Sequence, residues 1–340
     1  MATHIFSLTL YLFIFAWPFI AYLALRNYFV GHRFALYVIC YLPMTLAASL
    51  RGDAGTDTEA YRDLFASIDP ADGFRLGIDF LYMFLMGAVK LAGGGFQAFA
   101  FVHAGLCLLL YSYGASKVDT VAPVFALGIL PTLFLDSTFN GLRYGLAFAL
   151  AIALVQAYRS HRAYVLPLML LPAAVHSSMA VMLALSPVVL GIGAMVLVAG
   201  GVAGSDAFMY LIYKQDAYTN IQRPGLLSGV FPLIQAIVLH CIFRMSRARF
   251  KIGFNFLSLG VALLVAGVIL SSFTYAGLRI LQIGVFVYAI GTALAVKTDD
   301  GRIAMVATLL GLAGVANMLR QILLVGPAGG VLFYPYDLFM

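Results

Sequence analysis

Long apolar runs recur along this chain, and they restrict what it can fold into more than any other feature. Residues 5–25, 34–50, 144–158, 188–204 and 252–278 contain no Asp, Glu, Lys, Arg or His. As helices, runs of about 17–25 apolar residues reach across the roughly 30 Å hydrocarbon core of a bilayer. Only 10% of the residues are charged and 63% are hydrophobic, against roughly 25% charged in an average soluble domain. Both observations predict an all-α polytopic integral membrane protein of about 10–12 spanning helices, forming a single domain over residues 1–340. The polar connections at 51–75 and 205–225 are too short to carry a core of their own.

The first run reads as a retained helix. Residues 1–4 lack a basic segment, and no small-residue cleavage pattern follows near Leu25. Cys40, Cys107 and Cys241 all lie within apolar stretches and act there as small hydrophobes. The net charge of +6 is scattered between spans. It reflects topology and anionic membrane lipids, and nucleic acid is not an expected partner.

Basic residues concentrate in cytoplasmic loops. The densest sets are Arg26/Arg33, Arg159/Arg162, Arg244/Arg247/Arg249/Lys251 and Lys297/Arg302, with Lys117 weaker. Two loops on one side must be separated by an even number of crossings, yet the intervals 33–159 and 162–244 each contain an odd number of apolar segments. One segment in each interval therefore fails to cross once. In the second interval it is 163–187, where Pro167, Pro172, His176, Ser177 and Ser178 interrupt the apolar pattern, predicting a broken helix or helical hairpin. In the first it is 76–94, which carries Asp79 and Lys90 and ends in three glycines, predicting a re-entrant or surface-lying segment. Irregular backbone at membrane depth needs protein or water to satisfy it, so such segments tend to line sites. On this count both termini, residues 51–75, Arg143, His176, residues 205–225, Arg279 and the tail around Tyr336 face outward.

Within the outer loop 51–75, Tyr61, Leu64, Phe65 and Ile68 fall at i, i+3, i+4 and i+7, predicting a short amphipathic helix with a capping box from Thr56 and Glu59. The candidate chemistry gathers on this side. A guanidinium near hydrocarbon is costly unless it faces the bundle and binds an anion, and its planar fork matches phosphate oxygens. Arg51, Arg143 and Arg279 therefore suggest a phosphate- or pyrophosphate-bearing ligand. Arg143 and Arg279 are the pyrophosphate-binding candidates, and Arg51 is placed with the catalytic group. His176 is one candidate proton acceptor, as an imidazole takes a hydroxyl proton near neutral pH, and Asp57 is the other. A plain packing role is the alternative for His176 and the preferred reading of His103 and His240. The segment 51–57 combines one cation, two carboxylates and two glycines; an ordinary turn and helix cap would explain part of it. Asp53, Tyr61, Tyr213 and Tyr336 are candidates for glycan contact, with an interfacial aromatic belt as the alternative for such tyrosines. No metal cluster, phosphate loop or dinucleotide motif is present in the sequence, and no cofactor is expected.

These residues resemble the EpsG family, the Wzy-like polymerases of bacterial exopolysaccharides, capsules and O-antigens. The resemblance rests on Arg51 followed by Gly55-Thr56-Asp57, Tyr61 and Phe65, on residues 140–143 with Ala147, and on Val175-His176-Ser177-Ser178-Met179. Arg279 and Pro335-Tyr336 also fit, and Tyr144 and Asp79 stand where the family often has Gln and Glu. The resemblance implies a multi-span (GT-C-like) glycosyltransferase of the bacterial inner membrane. Such an enzyme takes a repeat unit linked to undecaprenyl pyrophosphate and joins it to another at the outer, periplasmic face. A chain-length regulator protein is then a candidate partner. A transporter or flippase of a lipid-linked glycan, or a membrane glycan acyltransferase, are the rival readings of the same residues.

Overall fold

The structure is a computed structural model and describes residues 2–55, 57–70, 79–116, 130–139, 141–160, 168, 171–176, 179, 230–245, 248–249, 251–271 and 276–297. The described chain is helical apart from one two-residue antiparallel pairing. It divides into two compact units.

The first unit contains α1 (Ala2–Leu25), α2 (Arg33–Leu50), α3 (Thr58–Ser67), α4 (Phe80–Leu91), α5 (Phe96–Ser116), α6 (Leu130–Phe139), α7 (Leu142–Ser160) and α8 (Leu171–Val175). Helices α2 and α5 are long and apolar enough to cross a membrane, and α1, α4 and α7 contain shorter apolar stretches. Integral membrane character follows from these helices together with the composition.

Helix α5 is central. It packs against α2 and α7, and α6 lies against α2, α5 and α7. Large aromatic side chains fill the core between these helices: Tyr37, Tyr41, Tyr82, Tyr111, Phe99, Phe134 and Phe148 are all buried. Several polar side chains tie neighbouring helices together, as helices in hydrocarbon surroundings commonly do. The Trp17 indole N–H donates to the Ile39 carbonyl at 2.9 Å, tying α1 to α2. The Gln97 amide donates to the Ser49 carbonyl, tying the end of α2 to the start of α5. Tyr111 and Ser137 share a hydrogen bond of 3.0 Å between α5 and α6.

Helix α4 has 12 residues, so at about 1.5 Å per residue it reaches about 18 Å, short of a bilayer's hydrocarbon thickness. Helix α3 buries Tyr61 and Phe65. Its N-cap position is Asp57, which makes no side-chain cap bond. The start therefore falls one residue after the capping box expected at Thr56, which lies outside the described residues. The other end of α3 is closed by Lys90 of α4, whose Nζ donates to the carbonyls of Phe65, Ala66 and Ile68 at 3.1, 2.9 and 2.7 Å. A lysine on the terminal carbonyls satisfies them and complements the negative end of the helix dipole.

The second unit contains α9 (Val230–Met245), β1 (Ala248–Arg249), α10 (Lys251–Ser271), α11 (Ala276–Ala295) and β2 (Val296–Lys297). The apolar run 252–278 is thus two elements, not one span. The first ends at Ser271, and α11 folds back against it along most of its length. Glycines allow this closeness: a Cβ at Gly260 would lie 2.9 Å from the Tyr288 backbone, and one at Gly267 would lie 2.8 Å from the Leu281 nitrogen. Small residues at such crossings are how apolar helices associate where no hydrophobic difference drives them. Strands β1 and β2 pair antiparallel across the open end of this hairpin. Helix α9 packs on α11, and His240 Nδ1 and the Tyr288 hydroxyl join them at 2.7 Å. His240 thus has the packing role expected of it. The proposed hairpin 163–187 lies mostly outside the described residues, as does the loop 205–225.

Candidate functional site

Three chain segments meet at one carboxylate in the first unit. Asp79 immediately precedes α4, Arg143 lies in the first turn of α7, and His176 follows α8. Arg143 Nη1 donates to Asp79 Oδ2 at 2.9 Å. His176 Nδ1 lies 3.4 Å from the same oxygen. The Asp79 side chain is 1% exposed, His176 15% and Arg143 23%. The carboxylate is therefore sealed inside the protein, while both of its partners are partly exposed.

The sequence folds this way because α6 and α7 are separate helices. Helix α6 ends at Phe139 and α7 begins at Leu142 beside α5, where the His103 ring on α5 donates from Nε2 to the Leu142 carbonyl at 2.9 Å. His103 is buried and holds the start of α7, so its role is packing. Tyr61 of α3 braces the same turn. The Arg143 backbone N–H donates to the Tyr61 hydroxyl at 3.4 Å, and the guanidinium lies 5.8 Å from the Tyr61 ring centre. Tyr61 in turn packs on Tyr82, with ring centres 6.0 Å apart. A cation over an aromatic face is held electrostatically as well as sterically, so Tyr61 and Asp79 together define where the Arg143 fork points.

Arg51 sits where α2 ends, in extended backbone. It is 2% exposed, and its guanidinium lies 5.1 Å from the Phe139 ring centre. It is near enough to Tyr82 and His103 to act on both electrostatically. Arg51 and Arg143 thus both act on Tyr82, from α2 and from α7.

The loop after Arg51 is clamped to the α6–α7 break. Thr58 Oγ1 donates to the Ala54 carbonyl at 2.7 Å and approaches the Phe139 carbonyl at 3.5 Å. Gly55 adopts φ +110, and a Cβ there would collide with the Phe139 carbonyl oxygen and lie 2.6 Å from Thr58 Oγ1. Only glycine fits on both counts. Gly55→Ala is expected to cost about 1–3 kcal/mol, read as a lower unfolding midpoint in detergent. Gly31→Ala, where a Cβ meets nothing within 4 Å, should leave the midpoint unchanged. Equal midpoints for the two variants would contradict the clamp.

The remaining candidates are placed as follows. Asp53 is exposed and pairs with Arg62 of α3 at 2.6 Å. Asp57 occupies the N-cap position of α3. Arg279 lies in the first turn of α11, in the second unit, and only its backbone is described. Thr56, Asn140, Ser177, Ser178, Tyr213 and Tyr336 lie outside the described residues. The residue that sequence reasoning left out of the site is Asp79, which it noted as an interruption of an apolar stretch and as standing where the family often has Glu. That interruption was the signal, because a carboxylate surrounded by apolar residues needs a cationic partner.

Chemically, the cluster offers a fork of donors suited to phosphate, an imidazole suited to proton transfer, and a buried anion that joins them. Sequence comparison matches residues 34–338 to the EpsG family. No curated protein and no solved structure matches the chain.

Proposed function

The chain belongs to the EpsG family, and from that membership we propose that it is a polysaccharide polymerase joining oligosaccharide repeat units carried on undecaprenyl pyrophosphate. The observation that carries this reading is the convergence of Arg143 and His176 on Asp79. A fork for pyrophosphate and a base for a hydroxyl are the two groups that glycosyl transfer from a lipid pyrophosphate requires.

In the proposed reaction the acceptor hydroxyl oxygen attacks the anomeric carbon of the donor. The bond from that carbon to the phosphate oxygen breaks, and its electron pair leaves with the pyrophosphate. The hydroxyl proton passes to His176, which we favour over Asp57 because His176 shares a carboxylate with Arg143. The departing pyrophosphate gains charge, so a fixed Arg143 stabilises the transition state more than the bound substrate. The first turn of α7 adds helix N–H groups and the positive end of its dipole beside the same arginine. Arg51 supplies a second cation near Tyr82, and Arg279 is assigned to pyrophosphate on the sequence pattern alone. Asp53, Tyr61, Tyr213 and Tyr336 are assigned to the glycan. The charge pattern of the loops supports a site facing the outer side of the membrane, and family membership supports a multi-span, GT-C-like arrangement in the inner membrane.

The purified protein in lipid vesicles, given a lipid-linked repeat unit, should produce a ladder of longer glycans and release lipid pyrophosphate. Translocation of intact lipid without chain growth would make it a transporter. Acylation of the glycan without chain growth would make it an acyltransferase. Either result overturns the polymerase reading.

A further inference from the structure

We propose that Asp79 is a positioning residue for this site, holding His176 in the one tautomer that can act as base and clamping Arg143 beside it. The inference rests on the polymerase reading for its consequence in catalysis, and on geometry for its substance.

An aspartate immediately before a helix ordinarily turns its carboxylate onto the first free N–H groups. Asp79 occupies that position on α4 and makes no such bond. Its backbone carbonyl alone takes the N–H groups of Tyr82 and Met83, at 2.9 and 3.1 Å. Its backbone is left-handed, with φ 59 and ψ 30, and it is the one non-glycine residue with positive φ among those described. That conformation is unfavourable for a residue with a Cβ, although aspartate tolerates it better than most. The segment therefore forgoes a cap and adopts a disfavoured conformation, and the carboxylate goes instead to Arg143 and His176. Strain of this kind persists where the surrounding contacts over-determine it, and it clusters at functional sites.

An ionised carboxylate only accepts hydrogen bonds. The imidazole nitrogen facing it, Nδ1, must then carry the hydrogen, which puts the lone pair of the neutral ring on Nε2. Nε2 is the atom that takes the acceptor's proton. The imidazolium formed in that step keeps a buried negative charge at Nδ1, and Asp79 itself remains ionised throughout. Because Arg143 Nη1 binds the same oxygen, one carboxylate sets the spacing between the base and the pyrophosphate fork.

The test uses the full-length protein in vesicles with a lipid-linked repeat unit, comparing wild type, Asp79→Asn, Asp79→Glu, His176→Ala and the Asp79→Asn/His176→Ala double variant. An asparagine amide can present N–H to Nδ1 and favour the wrong tautomer. Asp79→Asn should therefore lower kcat by on the order of 10²-fold, with a much smaller change in donor KM. Asp79→Glu keeps the charge and should restore most of the lost rate. In the His176→Ala background, Asp79→Asn should cost less than about threefold, since residues acting as a unit are non-additive.

A second readout does not depend on turnover. Nitrogen-15 spectra of histidine-labelled protein, with the His176 signal identified by its loss in His176→Ala, should show the Nδ1–H tautomer in wild type and its loss in Asp79→Asn. A wild type that makes no ladder but shows the Nδ1–H tautomer would sink the polymerase reading and leave the positioning role standing. An Nε2–H tautomer in wild type, or the same Asp79→Asn factor with and without His176, would overturn the positioning role itself.

Discussion

Replacing Arg143 with alanine should reduce polymerisation by on the order of 10²- to 10³-fold, the usual cost of removing one preorganised donor from developing charge. Two effects combine in that number. The pyrophosphate loses its fork, and Asp79, whose side chain is 1% exposed, loses its 2.9 Å partner. Asp79 keeps His176 but loses its cationic donor, a loss of about 1–3 kcal/mol for a buried acceptor, so the alanine variant should also unfold at a lower temperature. Arg143→Lys separates the two. A lysine ammonium can still balance Asp79 and should recover much of the lost stability. It cannot present two parallel N–H groups to phosphate, so the rate should stay low. The measurements are initial ladder formation and the thermal midpoint for each variant. Near-normal turnover in Arg143→Lys would mean that a point charge suffices and that bidentate recognition is not used.

His176→Asn should lower kcat by about 10²- to 10⁴-fold, the range that general acid–base catalysis contributes. Asparagine is the informative choice because its amide can still donate to Asp79 and preserve the contact seen at His176 Nδ1. It has no nitrogen that takes a proton at neutral pH, so only the base is removed. The apparent affinity for the lipid-linked donor, measured by competition with undecaprenyl pyrophosphate, should change little, because Arg143 and Arg51 keep their positions. A variant with wild-type turnover would remove His176 from the reaction and leave Asp57 as the base to test. If instead affinity fell as much as rate, His176 would be a binding group.

Much of this was legible in the residues themselves. The spacing of Tyr61 and Phe65 is a helical face, and those two side chains are buried in α3. The run 34–50 is helix α2. Arg143 and His176 stood out because ionisable groups at the ends of apolar segments are expensive unless something uses them. Asp79 carried the same signal but was read as a mark of a segment that fails to cross the membrane, because nothing local shows which cation a lone acid will meet. The division of 252–278 into α10 and α11 was hidden for a related reason. Both halves are apolar throughout, and nothing in hydropathy marks a turn between two segments of the same character.

Solvent preference, family and most of the candidate residues follow from the sequence by itself, because the bilayer imposes a one-dimensional rule on composition and run length. Which candidates touch was decided only by tertiary structure. Arg143 and His176 lie 64 and 97 residues along the chain from Asp79, whose carboxylate they share. The break between α6 and α7, the short α4 and the left-handed turn at Asp79 bring them within hydrogen-bonding distance. Such contacts depend on how helices pack and where they stop, and no local pattern of residues encodes them.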